Sequence, residues 1–205
     1  MSHQELARQI RKFWFADTLE DPARIRARMD FWFAADSARD TDVRKRWNST
    51  VEDAMAGRLD SMGDTATGRM ALILLLDQFP RNIFRGSPRA FEKDGRSRYL
   101  MRDGMSLLMD LELSPIERCF YYMPLQHSEF LEDQESAVSR YSHLASEVSL
   151  EQRKIFDRFR HFAQMHCDII ARFGRFPHRN AILNRLNTTE EVLYLAGPVP
   201  NFGQP

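Results

Sequence analysis

Apolar residues recur at spacings of three and four along most of the chain, and no stretch of useful length alternates with a period of two. That pattern predicts an all-α protein. Leu6, Ile10, Phe13 and Trp14 make the apolar face of a first helix, and Asp21-Pro22 supplies a cap and a first-turn proline for a second that reaches about Phe33. The triplet Phe-Trp-Phe occurs in both, at 13–15 and 31–33, and predicts aromatic core packing between neighbouring helices, not a ligand cage. Val43, Trp47, Val51 and Met55 mark a third helix, closed by Gly57. The run Met70–Leu76 is apolar on every side, so a fourth helix from about Thr67 to Asp77 should be central.

Ser87-Pro88 opens a region reaching Met109, with a break near Asp94-Gly95, and Ser114-Pro115 opens a helix that Pro124 closes. Leu131, Val138, Tyr141 and Leu144 mark the next helix. Ser149 with Gln152, and Thr188 with Glu191, read as capping boxes, the first for a long helix ending at Phe173-Gly174 and the second for a short last helix. From about Gly197 the proline- and glycine-rich tail is expected to be non-helical. Short connections predict one domain over 1–205, built as an array of consecutive antiparallel helices. No repeat of about 34 residues with the tetratricopeptide pattern is visible in the spacing.

With 205 residues and 24.1 kDa, the chain can bury a substantial core without disulfides. The two cysteines, Cys119 and Cys167, are widely spaced and read as reduced thiols. The longest apolar run is far too short for a bilayer, and the first residues lack the basic start and apolar stretch of a secretory signal, so a cytoplasmic location without membrane contact is expected. A net charge of zero argues against nucleic acid as a partner. The charges are nonetheless sorted: 81–102 holds seven basic and two acidic residues, 103–151 two basic and ten acidic, and 152–185 eight basic and two acidic. Lysine occurs only at positions 12, 45, 93 and 154, so nearly every cation is arginine. Source codon usage explains such a bias, as does forked recognition of carboxylate or phosphate.

Within the two basic blocks one phrase occurs twice. Asp77-Gln78-Phe79-Pro80-Arg81-Asn82 is echoed by Arg175-Phe176-Pro177-His178-Arg179-Asn180, each after an apolar helical run. Proline disfavours the helical conformation of the residue before it, so Phe79 and Phe176 are both expected to leave their helices extended, placing an arginine and an asparagine at each end. Asp77 then ends the most apolar helix, where the backbone dipole is negative, and needs a cation: Arg81, Arg175, Arg179 or a histidine. His127, Leu131, Gln134, Val138 and Tyr141 fall on one helical stripe, and Phe159, Ala163, His166, Ile170 and Phe173 on another, so His127, Gln134 and His166 share core faces. Buried polar groups must find partners, and these are expected to find one another.

The segments Leu75–Asn82 with Arg85-Gly86, Pro124-Leu-Gln-His-Ser-Glu129 with Gln134, and His166 with Phe173–Asn180 together resemble the bacterial family called domain of unknown function 924, over nearly the whole chain. The resemblance implies an all-helical fold similar to tetratricopeptide-type arrays, and it implies no activity.

The chemistry follows from the residues. His127-Ser-Glu129 has the H-x-E form of zinc deaminases, but the Pro-Cys-x-x-Cys partner is absent, as is His-Glu-x-x-His, so no metal site is expected. Cys167 adjoins His166, yet neighbours on a helix point about 100° apart and do not share a proton. No glycine-rich phosphate loop or dinucleotide fingerprint appears, and no cofactor is expected. What remains is a site of Asp77, Gln78, Arg81, Asn82, Arg85, His127, Gln134, His166, Arg175, His178, Arg179 and Asn180. As a binding module it clamps the carboxylate or phosphate of a small molecule or a peptide terminus. As an enzyme it uses His127 or His166 as general acid or base, oriented by Asp77 or Glu129, with Arg81 and Arg179 stabilising negative charge. As a scaffold for a protein partner, the network only locks helices together. Arg81, Arg85, Arg175 and Arg179 outnumber the acids near them in sequence, which predicts a surplus of positive charge.

Overall fold

Helix α1 (His3–Phe15) begins where the Ser2 hydroxyl accepts the Glu5 N–H, and it buries Leu6, Ile10 and Trp14 as the spacing predicts. The computed structural model describes residues 1–34, 36–198 and 202. A tight turn over Pro22–Arg24, capped by Asp21, leads into α2 (Ile25–Phe33). The two Phe-Trp-Phe segments meet as expected, with Phe13 and Phe31 ring centroids 5.7 Å apart and Trp14 and Phe31 also 5.7 Å apart. Trp14 further reaches Phe79 at 5.3 Å and Phe120 at 5.6 Å, so this aromatic cluster joins the first helices to the middle of the chain. Helix α3 (Ser37–Met55) is capped by Asp36 and followed by Gly57 at φ +81°, a backbone state that suits glycine at a helix end.

The central segment is where sequence and structure part. Helix α4 (Ala66–Ile73) is buried at every residue except Thr67, but the chain then winds through a wide π-helical turn at Leu74–Gln78 and re-enters a helix, α5 (Phe79–Ile83). Phe79 is helical at φ −63°, ψ −39°, not extended, and Asp77 lies inside the wide turn, not at a helix end. The physical reason is the extra residue in that turn: the Phe79 N–H reaches back five residues to the Leu74 carbonyl, so Pro80 falls in the first turn of α5, where a missing N–H costs nothing. Phe176, in contrast, is extended at φ −89°, ψ 104°, as its proline predicts.

α4 packs tightly against the turn before it. A Cβ on Gly68 would lie 2.1 Å from the Met62 carbonyl oxygen, a backbone atom that cannot swing away. Gly68→Ala is therefore expected to destabilise by about 1–3 kcal/mol despite alanine's higher helix propensity, as measured by urea unfolding. A neutral or stabilising result would mean that the 60–64 turn yields.

Helix α6 (Asp94–Ser106) starts at the break expected near Asp94-Gly95. α7 (Pro115–Tyr121) follows Ser114, and Pro124 does not close the helix but sits in the first turn of a short one, α8 (Met123–Gln126). α9 (Leu131–Glu147) and α10 (Leu150–Phe173) are joined by only two residues and pack along each other. Ser149 gives α10 no side-chain cap, so the box predicted with Gln152 does not form, whereas Thr188 and Glu191 do form theirs at α11 (Thr189–Leu195). Gly174 ends α10 at φ +68°. One buried cluster runs from Leu6 to Ala163, and a smaller one gathers Ile169, Ile170 and Phe176 with Phe173, Tyr194 and Phe202. The architecture is all-α, with no strand among the described residues. No helix among them is long and apolar enough to cross a membrane. Of the tail expected to be non-helical, only Gly197, Pro198 and Phe202 lie within the described residues.

Candidate functional site

The wide turn at Leu74–Gln78 aims Asp77 into the protein, where its side chain is 0% exposed. An ionised carboxylate is retained there only if surrounded by donors, and three residues provide them. His127 at the end of α8 approaches both carboxylate oxygens through Nδ1, at 2.9 and 3.0 Å. Gln78 donates from Nε2 at 2.5 Å, and Arg81 places Nη1 3.3 Å from Oδ1 while donating to the Asp77 main-chain carbonyl at 2.6 Å. Burial alone would raise the Asp77 carboxyl; the charges of Arg81 and His127 and the bonds from His127 and Gln78 outweigh it and hold the group well below the usual carboxylate range. Because a carboxylate only accepts, Nδ1 of His127 carries the proton and Nε2 the lone pair. Burial and the Arg81 charge push the imidazole pKa down against the pull of Asp77, so the ring is neutral near pH 7.

His127 does not share a helix with Gln134. α9 begins only at Leu131, which is 42% exposed, because the chain breaks between α8 and α9, so the predicted stripe is divided. Gln134 instead lies fully buried below the break, donating from Nε2 to the carbonyls of Leu125, Gln126 and Ser128 at 3.3, 2.8 and 2.5 Å. It holds the backbone that carries His127.

A cleft of about 180 Å³ opens against this pair. Gln78, Arg81, Asn82 and His127 form part of its polar wall, and Arg39, Arg85, Gln126 and His166 continue it. The rest of the lining is Trp32, Phe33, Ala34, Met123, Phe159, Phe162 and Phe202. Phe33, expected in the core, is 42% exposed and faces this cleft. His166 donates from Nδ1 to the Phe162 carbonyl at 2.8 Å, and the Phe202 ring lies over it with centroids 3.8 Å apart. Burial drives the His166 pKa well below the ordinary value, with the neighbouring charges of His127 and Arg179 acting in the same direction.

The predicted surplus of unpaired arginines is not what the fold provides, because acids distant in sequence reach them. Asp40 on α3 takes Arg85 through both oxygens, at 2.6 and 3.0 Å, and accepts from Asn82 at 2.9 Å. Asp94 pairs with Arg81 at 2.9 Å and lies 3.6 Å from Arg179, which also donates to the His127 carbonyl at 3.1 Å. Arg175 is taken by Glu191 in two bonds of 2.7 Å, away from the cleft. Asn180 donates to Asn187 at 2.7 Å, and Glu129 accepts from the Phe176 N–H at 2.8 Å and from Arg185 at 2.7 Å. His178 packs between Phe176 and Phe202, and burial lowers its pKa to about 3. The second motif thus divides: Arg179 joins the polar wall from behind, while Arg175, His178 and Asn180, with Glu129, fasten the C-terminal segment to the His127 loop.

Three contributors carried no signal in the sequence. Asp40 is one acid on a polar helix face, Asp94 reads as a helix break, and Arg39 is one arginine among many. Arg39 is 9% exposed and donates to the main-chain carbonyls of Asp30 and Phe31 at 2.9 and 2.6 Å, and to that of Ala34. Its Nε–H is buried without an acceptor among the described residues. Among the described residues, Arg39, Arg81, Arg85 and Arg179 face the carboxylates of Asp40, Asp77 and Asp94. No group of three or more His, Cys, Asp or Glu among the described residues is arranged to hold a metal ion.

Fold and site define an all-helical protein with a cleft lined by aromatic, arginine and histidine side chains. The chain belongs to a bacterial protein family of unknown function, domain of unknown function 924, whose model matches residues 10–199. It is similar to the solved structure of a protein of unknown function from Agrobacterium tumefaciens, with 34% identity, a TM-score of 0.79, and coverage of 95% of this chain and 98% of that one. No curated protein matches it.

Proposed function

We propose that the cleft binds a small carboxylate whose apolar body lies against the aromatic wall. The observation that carries this reading is Arg39: a nine-tenths buried guanidinium on the cleft wall whose Nε–H has no acceptor among the described residues. A buried donor of this kind is costly to leave unmade, and a ligand oxygen would satisfy it. A peptide terminus offers the same carboxylate, and peptides belong in the same screen.

In a thermal-shift screen, aromatic and medium-chain carboxylates are expected to raise Tm. At about 100 times Kd the stabilisation is about 2.7 kcal/mol, equivalent to roughly 5–10 °C for a chain of this size. The matching neutral amides should produce little shift. Arg39→Lys keeps the charge but loses the fork, and should at least halve the shift relative to its own unliganded Tm. Equal shifts from acids and amides, or none from either, would leave the polar network a structural lock between helices.

A further inference from the structure

Asp77 and His127 have a relation that binding alone does not require. A ligand carboxylate is met adequately by the arginines, yet the imidazole beside them is held in one tautomer by a fully buried carboxylate on both of whose oxygens it rests, at 2.9 and 3.0 Å. That carboxylate is itself fixed by Gln78 and Arg81, and the backbone under the ring by Gln134. The Asp77 carboxylate sits in a π-helical turn, a distortion found frequently at functional sites. Nε2 has no hydrogen-bond partner among the described residues, and His127 lines two clefts at once. The second, of about 350 Å³, is lined also by Asp94, Ser128, Phe130 and Arg179.

Among the described residues, no side-chain nucleophile stands ready for this base. The Ser128 hydroxyl donates to Asp133 at 2.5 Å and accepts from the Phe130 N–H at 3.2 Å, so its proton is committed elsewhere. An oriented base with an open nitrogen, flanked by arginine and lacking a side-chain nucleophile, suits the activation of water.

We propose that the cleft is a hydrolase active site in which His127, oriented by Asp77, activates water against the amide or ester bond of a carboxylate-bearing substrate with an apolar acyl or aryl group. This rests on the carboxylate reading of the cleft. Nε2 takes a proton from water as the water oxygen bonds to the substrate carbonyl carbon, and the carbonyl electron pair moves onto its oxygen beside Arg81. Collapse re-forms the C=O bond and breaks the C–N or C–O bond. The departing amine or alcohol takes the proton from Nε2, leaving an acid and a neutral base, with nothing oxidised or reduced. Asp77 touches no substrate and is a positioning residue. N-acyl amino acids and aryl hydrogen esters of dicarboxylic acids have the required chemistry: one carboxylate, one apolar arm and a scissile carbonyl between them.

The test is release of amine or phenol from a panel of these two classes by the full chain, alongside calorimetric binding of the corresponding product acids. Turnover is expected, with kcat/KM rising with pH by one proton and levelling above the lowered His127 pKa. His127→Gln should cut kcat by about 100- to 10,000-fold while product-acid Kd changes by less than about threefold. Asp77→Asn should also depress kcat, because the amide no longer enforces the tautomer; circular dichroism confirms that each variant is folded, and the wild-type pH profile stands if Asp77→Asn is not. Product binding without release at stoichiometric enzyme overturns the hydrolase and leaves the binding site. Absence of both overturns both, and a His127→Gln variant as fast as the wild type overturns His127 as the base.

Discussion

Asp77→Ala is expected to lower the unfolding free energy by about 3–5 kcal/mol. The magnitude comes from what is left behind. Arg81, 13% exposed, keeps Asp94 but loses its fully buried counter-charge, and His127 and Gln78 lose the acceptor between them. Asp77→Asn retains an oxygen acceptor and most of the volume and should cost less. Urea unfolding at neutral pH measures both, with the midpoint moving and the slope unchanged. A loss below about 0.5 kcal/mol for the alanine variant would show that Arg81 and His127 re-pair at no cost and that Asp77 does not organise the site.

Acid should weaken the protein well above the pH at which carboxylates protonate. Burial holds His127, His166 and His178 below the ordinary histidine pKa, His178 at about 3. A histidine whose folded pKa is depressed contributes stability that is complete above its unfolded value of about 6.5 and declines as pH falls below it, because the unfolded chain takes the proton first. Each ring still neutral at pH 5 then removes on the order of 2 kcal/mol between pH 7.5 and pH 5. His178 alone accounts for roughly 2 kcal/mol, and His166 acts in the same direction. Asp77, with its carboxyl held low, acts in the same sense, its contribution being lost below about 3.9. Asp94 opposes them, since burial raises its carboxyl and the folded state takes that proton first. Urea titrations across this range provide the measurement, with His178→Gln expected to flatten the slope. Unfolding free energy unchanged from pH 7.5 to pH 5 would mean that these rings accept protons in place.

The pairs that satisfy the arginines show why the site was only partly legible. Asp77, Arg81 and His127 stood out in the sequence because each is polar where helical spacing demands apolar, and Asp77 does meet both of the others. The partners of the remaining arginines, Asp40 and Asp94, sit on surfaces where acids are ordinary, and only the approach of α3 to α5 and of α6 to the wide turn makes them counter-ions. Gln134 was read as a member of a stripe shared with His127, and its actual role, holding the loop beneath that ring, depends on where α9 begins. The second Phe-Trp-Phe segment was read as core, yet one of its rings faces an open cleft.

The local choices were therefore determined by the chain itself: helical periodicity, the caps at Asp21 and Thr188, the stop at Gly174, and the extended exit at Phe176 all follow from one-residue or one-turn preferences. The same preferences applied to Phe79-Pro80 predicted a helix end, and there the tertiary structure decided otherwise. A five-residue turn places proline where it needs no donor, and burial of Phe79 against Trp14 and Trp47 favours keeping the segment helical. Long-range pairing of charge was likewise decided only in three dimensions, because an arginine selects its carboxylate by distance through space, and helix packing sets that distance.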